Sequence, residues 1–159
     1  MKLVLDTSAF IAGFGPDSSY TVKEVIDEIK NRELKLKVEL FLDDGSLKLV
    51  EPSGESLART KKTAKKSGDI SALSDTDLKV IALAGDLKQE GSEVAIMTDD
   101  YGIQNVASML NITFVPAAEM GIKRVIIWKH VCSACKKRFP ADFEGECTVC
   151  GSELRKVRT

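Results

Sequence analysis

Lys2-Leu-Val-Leu-Asp6-Thr-Ser-Ala-Phe-Ile11 opens the chain with an apolar run that stops at a carboxylate and passes at once into small and apolar residues. So short and apolar a run, with Ser8 to Ile11 behind it, reads as a buried strand feeding a helix. Val94 to Thr98, closed by Asp99 and Asp100, repeats the pattern, and Gln104 to Leu110 follows as a helix. Leu47 to Val50, closed by Pro52, and Thr113 to Val115 read as further strands. Between them, helices are predicted from Val22 to Arg32, from Glu55 to Lys66, and from Ser74-Asp-Thr-Asp77 to Ala84. Thr21-Val-Lys-Glu24 has the spacing of a capping box, and Gly13 to Ser19 is turn-rich. Leu34 to Leu42 alternates like a strand, but its length and flanks assign it to a helix. Strands alternating with helices predict an α/β fold, a parallel sheet covered on both faces.

The 159 residues suffice for one ordinary domain and a small appendage. Apolar residues make up 43% and aromatics only 6%, so the core must be built from Leu, Ile, Val and Ala, which suits α/β packing better than an aromatic-rich barrel. The chain has no long apolar run and no charged leader before its first strand, which predicts a soluble, cytoplasmic protein without a membrane partner.

A net charge of −1 hides two opposite halves. Residues 1–121 carry 14 Lys and Arg against 20 Asp and Glu, a net of −6, whereas 122–159 carry 9 against 4, a net of +5. The basic tail suits a polyanion; the acidic part suits metal cations or is a solvated surface.

All four cysteines fall in that tail, as Cys132-Ser-Ala-Cys135 and Cys147-Thr-Val-Cys150. Each Cys-x-x-Cys turn aims two thiolates at one point, and two such turns complete a tetrahedral sulfur shell for a structural zinc ion, predicting a zinc ribbon. A redox centre needs one pair, not two. His130, the sole histidine, is expected beside this site rather than in it. With no second histidine, triads and paired-imidazole ribonuclease chemistry drop out, and no Gly-rich phosphate loop is present.

Carboxylates remain. Asp6 and Asp100 each follow a strand, at the edge where an open parallel sheet forms its binding crevice. Asp77 begins a helix, and Glu28 lies one turn beyond Glu24. Together they offer oxygen ligands for Mg²⁺ or Mn²⁺, which can activate water for attack on a phosphodiester. Each also has a plain structural reading: Glu24 as a capping-box partner, Asp77 as a helix-start carboxylate, Asp6 as a helix cap, Asp99 and Asp100 as turn residues.

The order Leu3-Val-Leu-Asp6-Thr-Ser-Ala-Phe10, Val25-Ile-Asp-Glu28-Ile, Leu73-Ser-Asp-Thr-Asp77-Leu and Met97-Thr-Asp-Asp100 resembles that of PIN-domain nucleases. With a zinc ribbon behind it, and with Asp100-Tyr-Gly-Ile-Gln-Asn105, the whole chain is similar to the archaeal "Nin one binding" family of ribosome-assembly endonucleases. The resemblance implies a Rossmann-like PIN domain over 1–121, a linker near 117–125 and a ribbon over 122–159. It implies a divalent-metal site at Asp6, Glu28, Asp77 and Asp100, the last chosen over Asp99 because the family pattern is Thr-x-Asp. The implied substrate is precursor small-subunit rRNA, cut at its mature 3′ end inside a pre-ribosomal particle with its assembly factors.

On this reading Asp6, Asp77 and Asp100 hold the ion, and Glu28 holds a second ion or orients the attacking water. Lys136, Lys137, Arg138, Arg155, Lys156 and Arg158 are the RNA-binding candidates, because they flank a rigid module. The run from Arg59 to Lys66 either tracks RNA or is a solvated helix face. Trp128 and Phe139 either stack on bases or close the domain junction, the junction being preferred for Trp128. Two rival functions stay open: a VapC-type PIN toxin, which usually lacks a ribbon, and a non-enzymatic RNA-binding assembly factor.

Overall fold

The computed structural model describes residues 1–14 and 18–159; part of the turn expected at Gly13 to Ser19 lies outside the described residues. Five parallel strands form the main sheet: β1 (Lys2–Leu5), β2 (Ser19–Thr21), β3 (Leu47–Leu49), β4 (Val94–Met97) and β5 (Thr113–Val115), in the order β3-β2-β1-β4-β5. Helices α1 (Thr7–Ile11), α2 (Lys23–Glu28) and α3 (Arg32–Asp43) connect the strands on the β2 side, and α4 (Gly54–Ser67), α5 (Asp75–Gln89) and α6 (Tyr101–Met109) those on the β4 side. The two series run in opposite directions from β1, so right-handed crossovers place α1 to α3 on one face and α4 to α6 on the other. The core is the aliphatic one the composition requires: Val4, Leu5, Ile81, Leu83, Ile96 and Ile103 are all at most 1% exposed.

The structure departs from the expectations at several points. Ser19–Thr21 is a strand where only a turn and a cap were read: it is too short to show a period, and it forms because β1 and β3 pair with it on either side. The helix expected over Val22 to Arg32 ends at Glu28, where Ile29 turns extended, and α3 starts afresh with Asn31 as its cap. The Thr21–Glu24 capping box does not form, because the Thr21 hydroxyl donates to the Leu5 carbonyl (2.7 Å) and Glu24 pairs with Lys79 (2.5 Å). Helices α5 and α6 run longer than expected, α5 to Gln89 and α6 back to Tyr101. Leu34 to Leu42 is helical, as its length indicated.

The tail forms a separate antiparallel sheet, β7-β6-β8, from β6 (Trp128–Cys132), β7 (Arg138–Phe139) and β8 (Leu154–Arg158). The two sheets meet through a buried polar knot. Asp69 accepts from the Trp128 indole Nε1 (2.9 Å), the Asn105 amide (2.7 Å) and the Ser67 hydroxyl (2.7 Å). Lys156 caps the same junction, its ammonium over the Trp128 ring and bonded to the Gly68 carbonyl. The connection between the sheets is strapped down: Asn105 exchanges two bonds with Ile126, and Gln104 accepts from the Ile122 N–H.

Candidate active site and zinc centre

In the all-parallel strand order β3-β2-β1-β4-β5, the direction in which successive strands are added reverses between β1 and β4, which is where an open α/β sheet parts its loops and forms a crevice. Asp6 follows β1 and Thr98-Asp-Asp100 follows β4, and the register Leu5↔Met97 sets these ends side by side. The Thr98 hydroxyl donates to Asp6 Oδ2 (2.8 Å) and the Asp100 N–H donates to the Thr98 oxygen (3.0 Å), so one threonine links the two acids. Ser8 repeats the device, donating to Asp6 (3.1 Å) while accepting from the Asp99 N–H (3.1 Å).

Burial raises the Asp6 carboxyl above its ordinary range despite the bonds from Thr98 and Ser8, and the nearby charge of Asp100 pushes the same way. Burial raises Asp77 as well, against its bonds to Ser74, with Asp100 and Asp6 adding like charge. Asp6, Asp77 and Asp100, far apart in sequence, therefore sense one another electrostatically. Two partly buried carboxyls raised beside a third carboxylate favour a cation among them.

The structural readings of these acids are partly realised too. Asp77 forms a full capping box with Ser74, and Asp100 caps α6 by accepting from Ile103 (2.9 Å). Each cap engages one oxygen, Oδ2 of Asp77 and Oδ1 of Asp100, leaving the second outside the cap. Asp6 precedes α1 but makes no side-chain cap. Asp99 points elsewhere: it accepts from the Ala117, Ala118 and Glu119 N–H groups, which hold its carboxyl below the ordinary range. Glu28 is exposed and joins the crevice through the Thr7 hydroxyl (3.0 Å) next to Asp6, whereas Glu24 is drawn off by Lys79, whose bond holds it below the ordinary carboxylate range. The acids do not form a closed cage; among the described residues only the cysteines gather three or more ligand atoms within 4.8 Å of one another. An open arrangement suits Mg²⁺ or Mn²⁺, which retain several waters. Thr7 and Ser8 were not singled out from the sequence, and Thr98 only as the anchor of the Thr-x-Asp pattern, although all three stand inside the quoted motifs.

Cys132, Cys135, Cys147 and Cys150 converge, with sulfur separations of 3.4 Å (Cys132 to Cys150) and 3.5 Å (Cys135 to Cys147). Tetrahedral zinc with Zn–S bonds of ~2.3 Å requires about 3.8 Å, so the four donors fit the ion with a slight expansion. The Cys135 and Val149 N–H groups point at the Cys132 and Cys147 sulfurs (both 3.4 Å), as thiolate ligands require. Both knuckles turn through a left-handed residue after the second cysteine, Lys136 (φ 63°) and Gly151 (φ 70°). His130 stands outside the cluster.

Trp128 closes the junction, as its position suggested. Phe139 does neither thing expected of it: it is buried inside the ribbon with its ring 4.5 Å from Phe143. Of the RNA-binding candidates, Lys156 is committed to the junction, while Lys136, Lys137, Arg138, Arg155 and Arg158 are exposed. Lys61, Lys62, Lys65 and Lys66 form an exposed face of α4.

A family profile described as "PIN domain of ribonuclease" matches residues 3–87. The Endoribonuclease Nob1 of Pyrococcus abyssi is 42% identical over 158 residues, covering 99% of this chain and 94% of that one. Ribonuclease VapC1 of Thermoplasma acidophilum is 37% identical over 159 residues, 98% of this chain and 78% of that one, so the alignment with a protein of that name runs through the ribbon as well. The 20S-pre-rRNA D-site endonuclease NOB1 of Saccharomyces cerevisiae is 41% identical over 71 residues, 45% of this chain and 16% of that one. With its parallel sheet, acids at the strand ends and clustered cysteines behind, the chain belongs to the PIN-domain ribonucleases and, among them, to the Nob1 endoribonuclease family.

Proposed function

We propose that this endoribonuclease depends on a divalent metal and cuts precursor small-subunit rRNA at its mature 3′ end, within a cytoplasmic pre-ribosomal particle and alongside its assembly factors. Residues 1–121 would be the nuclease unit and 122–159 the ribbon that holds RNA. The carrying observation is the group at the strand ends where burial, with the neighbouring charge of Asp100, raises Asp6 and Asp77 while Thr98 and Ser8 fix Asp6 in place. The rRNA substrate is supported by the name of the Saccharomyces cerevisiae relative, a 20S-pre-rRNA D-site endonuclease.

Mg²⁺ or Mn²⁺ bound there would supply the Lewis acid that activates water and offsets charge on the phosphate. Asp6, Asp77 and Asp100 would hold it, and Glu28, tethered by Thr7, would orient the attacking water. That water adds to phosphorus as the bond to the 3′ oxygen breaks, leaving a 5′-phosphate and a 3′-hydroxyl. The structural Zn²⁺ would belong to the four cysteines.

Zinc-loaded protein, incubated with a short RNA spanning the end of mature small-subunit rRNA, should make one cut in Mn²⁺ or Mg²⁺ and none without added divalent ion. Asp6→Asn should abolish the cut and retain RNA binding. Failure of the wild-type protein to cut under any divalent ion overturns the proposal. The Thermoplasma match favours a second reading, a VapC-type ribonuclease acting on cellular RNA; scattered cuts in unrelated RNAs at equal rate would select it.

A further inference from the structure

Three surface clefts share lining residues and so follow one another from Asp100 to the ribbon. The first, about 410 Å³, is walled by Asp100, Tyr101, Ile126 and Trp128. The second, about 480 Å³, shares Tyr101 and Ile126 and adds Lys123, Arg124 and Arg158. The third, about 350 Å³, shares Arg158 and opens onto Lys129, Lys136, Arg138 and Arg155.

Strand geometry explains this last wall. Successive side chains of a strand alternate between faces, and the pairings Lys129↔Val157, Val131↔Arg155 and Val131↔Arg138 put Lys129, Arg138 and Arg155 on one face of the ribbon sheet. Trp128 and Lys156 take the other face, which packs on the nuclease domain. Among the described residues Lys123, Arg124, Lys129, Arg138, Arg155 and Arg158 make no salt bridge, although the chain carries 24 acids. Tyr101, beside Asp100, is 56% exposed at the head of the groove. A line of unneutralised cations beginning at an exposed aromatic ring is the chemistry of a single-strand track, phosphates on the cations and a base on the ring.

We propose that Tyr101, Lys123, Arg124 and Arg158 form a bridge that carries an unpaired RNA strand from the carboxylate crevice to the open face of the ribbon, with Tyr101 stacking on a base next to the phosphate to be cut. This rests on the nuclease reading above. Tyr101 and the linker cations are then positioning residues, and the enzyme prefers an unpaired substrate.

Binding of a labelled, unstructured oligoribonucleotide is measured by anisotropy across a salt series, in the Asp6→Asn protein with Mg²⁺ present. Replacing Lys123 and Arg124 together by Ala should weaken binding about tenfold and flatten the dependence of log Kd on log salt by about 1.4, two single-strand phosphates at ~0.7 each. Tyr101→Ala should weaken it about fivefold or more at an unchanged slope, and Tyr101→Phe should restore it. Unchanged Trp128 fluorescence and zinc content verify folding. An unaltered slope in the double variant, a Tyr101→Phe as weak as Tyr101→Ala, or equal binding of duplex RNA overturns the bridge. Wild-type protein that cuts while these variants bind normally defeats the bridge alone; variants that behave as stated in a protein that never cuts defeat only the nuclease reading.

Discussion

The main sheet and the ribbon fold for opposite reasons. The first has a continuous aliphatic core running from Val4 to Ile112, and no metal is needed to explain it. The second buries little beyond Cys132, Phe139 and Cys147, with Phe143 and Leu154 alongside, too little apolar surface to offset the entropy of ordering the chain. One region is held by burial; the other, with zinc on its four cysteines as proposed, would be held by coordination. The site acids of the main sheet contribute caps to its helices, Asp77 to α5 and Asp100 to α6, but not its core, whereas Cys132 and Cys147 are two of the three buried residues in the small core of the ribbon.

Metal removal breaks this comparison hardest. Stripping zinc, or replacing Cys147 by Ser, should unfold 128–158 entirely, since zinc supplies about 10–16 kcal/mol in comparable small modules. Helical circular dichroism and amide protection of the main sheet should persist. In the sheet, Ile96→Ala should cost about 2–5 kcal/mol without local collapse, measured by denaturant melts. Loss of the main sheet on zinc removal would refute the division.

The junction comes next. Gly68 has φ +85°, and a Cβ there would lie 2.8 Å from the Trp128 Cβ and 3.2 Å from that of Ala141. Gly68→Ala should cost about 1–3 kcal/mol from overpacking, on top of left-handed strain, and should separate the modules. Because Trp128 is the only tryptophan, a red-shifted emission with zinc content unchanged reports that event.

A smaller effect concerns pH. The folded-state pKa values of Asp6 and Asp77 are raised by burial, so the native protein binds more protons than the unfolded chain as these groups titrate. Stability is then greatest below the ordinary carboxylate pKa, as far as these two groups contribute, and falls as pH rises through the raised values. Asp6→Asn should remove part of that fall and raise Tm at neutral pH without Mg²⁺ or Mn²⁺, and either ion should raise Tm for wild type but not for the variant. An Asp6→Asn protein that melts lower at neutral pH contradicts the destabilising role of the charge.

The smallest effect lies in the first knuckle. Lys136 holds φ 63°, where its counterpart in the second knuckle is Gly151. Lys136→Gly should stabilise the ribbon against chelator by up to about 1 kcal/mol, since relief of ~1–2 kcal/mol of left-handed strain exceeds the ~0.4–1 kcal/mol of unfolded-state entropy that glycine adds; a loss instead would mean that the Lys136 bond to the Ser133 carbonyl (2.5 Å) outweighs the strain.

The sequence alone determined the parts whose signal is local. Apolar runs set β1 and β4, helix caps set α4 and α5, and the paired Cys-x-x-Cys turns set the ribbon, because each rests on residues close together in the chain. What only the tertiary structure decided is whatever depends on partners distant in sequence. Strand β2 exists through its neighbours on both sides. Glu24 was turned from cap to ion pair by Lys79, 55 residues away. Asp99 and Asp100, identical and adjacent, were separated by a linker that supplies three N–H groups to one and a helix that takes the other as its cap. Local free energies are written in the sequence at the point where they act; that Asp77 feels the charge of Asp6 and Asp100 depends on the tertiary arrangement, which no single stretch of the chain contains.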